Sequence, residues 1–135
     1  MAIIVLMTPK VTINSVDLTN HCTSVTIDET WADIDATAFG VGAKQHVAGL
    51  GDHKFMIELQ QDFASSSVEQ TIYPLVGQLV AFNVMANNTS TSTTNPAYSG
   101  MVLITSWKPI EGKVGTLMTT AATWPISGNV TKSTS

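Results

Sequence analysis

The chain has 135 residues, enough for one domain with a single hydrophobic core. Charged residues make up only 12% of it, the net charge is −4, and all six basic residues are lysines. The absence of arginine, the usual ligand for phosphates and bases, argues against tight nucleic-acid binding. The sparse charge favours a surface that meets other proteins, with a neutral monomer rich in Thr, Ser and Asn as the alternative.

The N-terminal region carries no signal for export or for a membrane anchor. Ala2–Met7 is apolar but lacks a basic flank and is too short for a signal peptide or a membrane span. It is therefore predicted to be a strand or an extended arm. Cys22 stands alone, which excludes an internal disulfide and the thiol pairs of common zinc sites. These features fit a protein that folds in the cytoplasm and does not contact a membrane.

The first part of the chain alternates short strands with polar turns. Val11–Asn14 is predicted to be a strand that turns at Ser15, and Cys22–Thr30 a strand with one apolar side. From Trp31 to Gly51 the sequence has no clear period, and alanine and glycine dominate. We expect a long early loop there, either functional or mobile, because connections of this length are uncommon in compact domains.

The centre of the sequence predicts a strand, a short helix and a second strand. His53–Phe63 alternates apolar and polar side chains with the period of a half-buried strand, and Leu79–Met85 does the same. Between them, Ser66 and Glu69 have the spacing of a capping box. The helix is predicted to bury a narrow apolar stripe and to end at a proline and a glycine; these residues are Val68, Ile72, Leu75, Val76, Pro74 and Gly77.

The C-terminal part predicts two further strands and a loose tail. Tyr98–Trp107 is apolar on both faces, which indicates a central or doubly covered strand, and Thr116–Ile126 is a threonine-rich strand. Residues 127–135 are predicted to form a flexible tail. We therefore expect an all-β fold, a sandwich or barrel of about six to eight mainly antiparallel strands with one short flanking α-helix. It forms a single domain over residues 1–135, with a possible N-terminal arm at 1–10.

No set of residues indicates catalysis, nucleotide binding or a metal centre, and no cofactor is expected. The acidic and histidine residues around the early loop lack the spacing of a metal site, so solvated loop charges are the favoured interpretation; they are Glu29, Asp33, Asp35, His46 and His53. Gly40 and Gly42 lack the third glycine of a dinucleotide fingerprint, and Lys44 does not lie in a P-loop. His21 and Cys22 would point to opposite faces of a strand, which rules out a nucleophile pair.

Three segments, in this order, carry a family resemblance. The first is Val16-Asp17-Leu18 through His21 to Ser24-Val25-Thr26. The second is Ala48-Gly49-Leu50 through Ile57-Glu58-Leu59-Gln60-Gln61-Asp62-Phe63-Ala64 to Pro74-Leu75-Val76-Gly77. The third is Thr94-Asn95-Pro96-Ala97-Tyr98-Ser99-Gly100 through Pro109, Gly112 and Gly115 to Thr119-Thr120 and Trp124. Together they span most of the chain from Val16 onward. In these motifs the chain resembles the small major tail proteins, or tail tube proteins, of long-tailed bacteriophages.

The resemblance implies a structural virion protein rather than an enzyme. Its subunits would form hexameric rings that stack, with other tail proteins, into a tube through which double-stranded DNA passes without specific binding. The protein would be assembled in the host cytoplasm and reside in the tail of the virion. The segment expected to reach the neighbouring ring contains Trp31, Asp33, Asp35, Phe39, Gly40, Gly42, Lys44, His46 and Gly49.

The wall of such a tube should carry few cations, because lysine and arginine bind phosphate and would slow the passage of DNA. Glu58 and Gln60, on the polar face of the longest predicted strand, are the first candidates for the lumen, followed by Asp62. An outer, water-facing sheet surface is the alternative for these residues. Three other functions stay open: a capsid decoration protein, a head–tail joining or terminator ring protein, and a ligand-binding β-sandwich that uses Trp31 or Trp107.

Overall fold

Nine strands form two sheets of very different size in the described part of the chain, which a computed structural model gives as residues 3–7, 9–40, 42–65 and 67–134. The strands are β1 (Lys10–Ile13), β2 (Val16–Asp17), β3 (Cys22–Asp28), β4 (Trp31–Asp35), β5 (His46–Gly51), β6 (His53–Gln60), β7 (Leu79–Met85), β8 (Ala97–Leu103) and β9 (Thr119–Ser133). Seven of them form an antiparallel sheet in the order β2-β1-β7-β8-β9-β6-β3, which curls into a half-barrel. β4 and β5 form a separate two-stranded sheet. The all-β prediction with one short helix is confirmed.

The inner face of the curled sheet encloses the hydrophobic core. Phe55 on β6 pairs with Trp124 on β9, and their rings stack with centroids 6.1 Å apart. Trp124 is fully buried, and its Nε1–H donates to the carbonyl oxygen of Ser106 at 2.7 Å. On β7, the inward side chains Val80 and Phe82 are buried as well. The alternation read from the sequence of β6 and β7 therefore identifies the buried face of both strands.

The short helix lies against this core. α1 (Val68–Ile72) buries both of its terminal residues completely, and the chain continues through a 3-10 turn, Tyr73–Leu75. Gly77, at φ +85°, ends the turn in the left-handed region that glycine adopts without strain. Ser66, the predicted capping residue, lies outside the described residues. No helix in the described ranges is long and apolar enough to cross a membrane.

The C-terminal segment differs most from its prediction. Residues 127–133 continue β9 and pair with β8, with Ala97 opposite Ser133 and Ser99 opposite Thr131. The expected flexible tail is therefore a strand up to residue 133. The sequence hides this continuation because Gly128, at φ +85°, and a register shift between Ser99 and Met101 interrupt the regular period.

β8 is the central strand of the main sheet, which confirms the first alternative predicted from its two apolar faces, but it is not doubly covered because one face is open. Val102 and the following Ile104 are fully buried, whereas Met101 and Leu103 are 39% and 36% exposed. Trp107 lies beyond the end of the strand, where its ring packs near Trp124 at a centroid distance of 6.4 Å. The regular strand ends earlier than expected, and its outward side chains form exposed apolar surface.

The N-terminal segment is exposed but passes close to β3. Residues 3–7 form no strand, and Ile3, Val5 and Met7 are at least three-quarters exposed. Leu6 borders a shallow apolar cleft that is also lined by Val25 of β3. The strand alternative for this segment is wrong in the described residues, and the extended arm remains as the interpretation.

Candidate assembly surface

The segment predicted as a long irregular loop is a β-hairpin that stands apart from the main sheet. β4 and β5 pair antiparallel, with Ile34 opposite Val47 and Asp35 opposite His46. The sequence did not show this pairing because the two strands are short, the turn between them is long, and a register shift between Trp31 and Asp33 breaks the alternation. The structure therefore corrects the loop to a hairpin of defined register.

A buried histidine anchors the hairpin to the body of the protein. His53, the first residue of β6, is 1% exposed, and its Nδ1 accepts a hydrogen bond from the backbone N–H of Thr30 at 3.2 Å. The ring of Trp31 meets the His53 ring edge-on at 5.0 Å. Next to it, the backbone N–H of Asp52 donates to the Thr30 carbonyl at 2.7 Å. These contacts hold both strands where they leave the main sheet.

The two sides of the hairpin differ in chemistry. One side, which we call the apolar hairpin face, consists of Ala32, Ile34, Val47 and Gly49. A Cβ placed on Gly49 would lie 2.9 Å from the Ile34 Cδ1 and 3.0 Å from the Ala32 Cβ, so these side chains cover the glycine closely. The other side carries the acidic residues of β4, where Asp33 Oδ1 lies 2.8 Å from His46 Nδ1. The hairpin is thus amphipathic.

The apolar residues of the hairpin are exposed. Ile34 and Val47 are 49% and 52% exposed, Leu50 is 88% exposed, and Phe39 projects fully into solvent from the turn. A two-stranded hairpin is at best marginally stable by itself in water. An exposed apolar surface on such an element indicates a contact with another molecule.

All nine predicted inter-ring residues lie on this hairpin. Trp31 is at its base, Asp33 and Asp35 are on β4, and His46 and Gly49 are on β5, while Phe39, Gly40, Gly42 and Lys44 lie in the connecting turn. The prediction from the sequence did not include Ile34, Val47 and Leu50. The signal was present in the alternation of Ala32 and Ile34 with the two aspartates, which is the period of a strand.

Gly51, at the base of the hairpin, has no room for a side chain. A Cβ on Gly51 would lie 2.7 Å from the His53 Nε2 and 3.0 Å from the Trp31 ring, and the buried histidine has no free space to move into. Gly51→Ala should therefore displace the hairpin and cost about 1–3 kcal/mol of stability. Hydrogen exchange of residues 31–51 should become faster. Gly42→Ala is the matched control, since a Cβ there meets nothing within 4 Å. Equal exchange in the two variants would contradict the anchoring role of His53.

The candidate lumen residues on β6 lie on the face of the sheet opposite the core. Glu58 pairs with Ala121 of β9 on one side and with Ser24 of β3 on the other, and Thr23 Oγ1 donates to its carboxylate at 3.1 Å. Gln60 follows on the same face. Both are half-buried, and this part of the outer sheet surface, β3–β6–β9, is mainly polar.

Asp62 has a different environment, beyond the end of β6. Its carboxylate accepts the backbone N–H of Ala64 at 2.9 Å, and its other oxygen lies 2.9 Å from His21 Nε2. The hydrogen bond from Ala64 holds the pKa of this carboxyl below its ordinary value, and the side chains of Ser67 and His21 add to the effect. The Asp62 carbonyl oxygen also accepts a hydrogen bond from the backbone N–H of Glu69 at 3.1 Å. Asp62 therefore fixes the segment that leads into α1.

Replacement of Asp62 should change the acid response of the protein. Because its folded-state pKa is lowered, the stabilisation is fully present above the unfolded-state value of 3.8 and is lost as the pH falls through the folded-state pKa. Asp62→Asn should be less stable than the parent at neutral pH, and the difference should shrink in acid. Denaturant midpoints between about pH 7 and about pH 3 measure this, with the exposed Glu29→Gln as control. A constant difference across this range would contradict the assignment.

The residues considered for catalysis or metal binding form no reactive site in the described chain. Ser67 Oγ and Asp62 both approach the same His21 nitrogen, at 3.5 and 2.9 Å, so the histidine cannot relay a proton between them. Burial raises the pKa of the Cys22 thiol, which disfavours a nucleophilic thiolate. His53 faces the core, and no three His, Cys, Asp or Glu side chains within the described ranges are grouped to hold a metal ion.

Two solved structures share the architecture described above. A chain in the virion of the native gene transfer agent particle matches with a TM-score of 0.71 at 12% identity, covering 93% of this chain and 95% of that one. A chain in the tail of the empty gene transfer agent particle, refined with C6 symmetry, matches with a TM-score of 0.64 at 14% identity, covering 82% and 81%. The chain shares its fold with a chain of each of these particles.

The tail fold agrees with the family resemblance in the sequence motifs. No family model matches the chain, and no curated protein matches it. The resemblance to major tail proteins is thus confirmed at the level of fold. Both matched chains belong to virion particles, which are structural assemblies rather than enzymes.

Proposed function

We propose that this chain is a tail tube subunit that forms hexameric rings, and that these rings stack into a conduit for double-stranded DNA. The proposal is supported by the fold shared with a chain of a C6-symmetric tail and by the three sequence segments that resemble major tail proteins. Other tail proteins would begin and end the tube. The subunit would be assembled in the host cytoplasm and reside in the virion tail.

The observation that carries the proposal is the detached amphipathic hairpin β4–β5. It exposes Phe39, Ile34, Val47 and Leu50, an apolar surface that a monomeric protein would expose at a cost. A contact between a projecting element and a different surface of the next copy is heterologous, and repeated heterologous contacts generate rings or open-ended tubes. The hairpin is the segment that the sequence resemblance to tail proteins implies as the connection to the neighbouring ring.

Electron microscopy of the purified chain over a concentration series tests the proposal, with light scattering alongside. We expect rings or hollow tubes of uniform bore that become more abundant as the concentration rises. Rings that never stack would favour a terminator or head–tail joining protein. A monomer at every concentration, also in the presence of preformed tail tips, would count against the tube function and favour a decoration or ligand-binding domain.

We also propose that the polar outer surface of β3–β6–β9 lines the bore, with Glu58 and Gln60 facing the DNA and Asp62 nearest the end of the strand. Glu58→Lys should then leave tube formation intact and reduce DNA delivery by at least about tenfold, because a ring of cations would bind the phosphate backbone. The control is Glu69→Lys, the same change of charge on α1 at the core side of the sheet. Normal delivery by particles built with Glu58→Lys would place this face elsewhere.

A further inference from the structure

A second exposed apolar surface lies on the outer side of the main sheet. We call it the β7–β8 patch; it consists of Leu79, Ala81, Met101 and Leu103. The register places Leu79 opposite Leu103 and Ala81 opposite Met101, so the four side chains form two adjacent cross-strand pairs. Leu79 is 48% exposed, and the two residues on β8 are more than one-third exposed. The patch contains no charged residue.

The β7–β8 patch and the apolar hairpin face have the same width, two antiparallel strands. Each surface contains one bulky pair beside one smaller pair. On the hairpin, Ile34 with Val47 is the bulky pair, and Ala32 beside Gly49 is the smaller pair, with the Ile34 Cδ1 lying over the glycine. When two sheets pack face to face, side chains of one layer fill the depressions of the other at a spacing of about 10 Å.

We infer that the apolar hairpin face of one copy docks on the β7–β8 patch of a second copy. This inference rests on the proposed tail tube function and names the acceptor surface for the hairpin. The hairpin of the same chain does not cover the patch, because β5 leads into β6, which is separated from β8 by β9, and both surfaces are exposed in the structure. The contact is therefore between different surfaces of two copies, which is the heterologous geometry that a ring or tube requires.

The charge distribution favours the same orientation. Docking through the apolar hairpin face buries uncharged side chains on both partners, whereas the opposite orientation would press Asp33, Asp35 and His46 against the leucines of the patch. Burying such charges without new partners costs several kcal/mol. The hydrogen-bonded side chains of Asp33 and His46 instead stay on the side of the hairpin that faces away from the patch.

Cysteine cross-linking in the assembled full-length protein tests the contact. In a Cys22→Ala background, Ile34→Cys combined with Leu103→Cys should give intermolecular products with a short bis-maleimide. Asp33→Cys combined with Leu103→Cys is the matched control, since residue 33 lies on the opposite side of the hairpin, and it should give at least about tenfold less product. Val5→Cys with Leu103→Cys tests the exposed N-terminal arm as the occupant of the patch.

A charge-complementation experiment checks the same contact without a cross-linker. Ile34→Glu and Leu103→Lys should each abolish assembly when pure, because each places one unpaired charge in an apolar contact. Mixed in equal amounts they should recover assembly, since the altered hairpin can dock on the altered patch and the native hairpin on the native patch. The melting temperature of each monomer, unchanged from the parent, shows that both variants fold.

The outcomes separate this inference from the proposed function. Selective cross-linking from residue 34 and recovery of assembly on mixing support the docking of hairpin on patch. Assembled rings or tubes that cross-link equally from residue 33, or preferentially from residue 5, would overturn the inference and leave the tube function standing. A parent chain that neither assembles nor cross-links would count against both.

Discussion

Replacing Trp124 with alanine is expected to destabilise the protein by about 3–5 kcal/mol, a large share of the roughly 5–15 kcal/mol that holds a domain of this size together. The side chain is fully buried at the centre of the sheet, stacked on Phe55 and packed near Trp107. Its removal would leave a cavity that rigid strands cannot close, and the Ser106 carbonyl would lose its hydrogen bond from the indole. Thermal unfolding should show a midpoint lowered by more than about 10 °C.

The matched control for this prediction is Trp31→Ala. Trp31 is 51% exposed at the base of the hairpin, where its main contact is the edge of the His53 ring. The same substitution should cost the body of the fold no more than about 1 kcal/mol and should instead weaken assembly. Equal losses of thermal stability in the two variants would mean that the core is not organised around Trp124.

The period of side chains was sufficient to identify the buried faces of the central strands. β6 alternates throughout and β7 alternates up to Val84, so the residues predicted to face inward, such as Phe55 and Phe82, are buried in the core. The prediction failed where a local irregularity breaks the period. The register shift beside Trp31 hid the hairpin, and Gly128 hid the second half of β9, because a bulge reverses which residues face inward.

The assembly surface was only partly predictable for a different physical reason. Low charge indicated that the chain meets other proteins, and glycine content drew attention to residues 31–51. Which apolar residues stay exposed depends on tertiary structure. Met101 and Leu103 are residue types that commonly fill protein cores. They are exposed because no second layer covers this face of β8 in the described chain. A sequence pattern cannot distinguish a face covered by its own domain from one available to a neighbour.

Truncation of the chain after Ile126 gives the second large expected effect. If residues 127–135 were a flexible tail, their removal would cost little, but the structure pairs this segment with the first half of β8, with Ala97 opposite Ser133. The truncated chain would lose several backbone hydrogen bonds, each worth about 0.5–1.5 kcal/mol, and the packing of Val130 against the core. We expect a loss of at least about 3 kcal/mol together with aggregation through the unpaired edge of β8.

The matched control removes only residues 134 and 135, which follow the strand, and should change the free energy of unfolding by less than about 0.5 kcal/mol. Chemical denaturation of the two truncated proteins measures the difference, and size-exclusion chromatography detects the aggregation. Because β8 also carries Met101 and Leu103 of the β7–β8 patch, the longer truncation should remove assembly together with stability. If the protein truncated after Ile126 were as stable as the parent, residues 127–133 would not contribute a strand to the sheet.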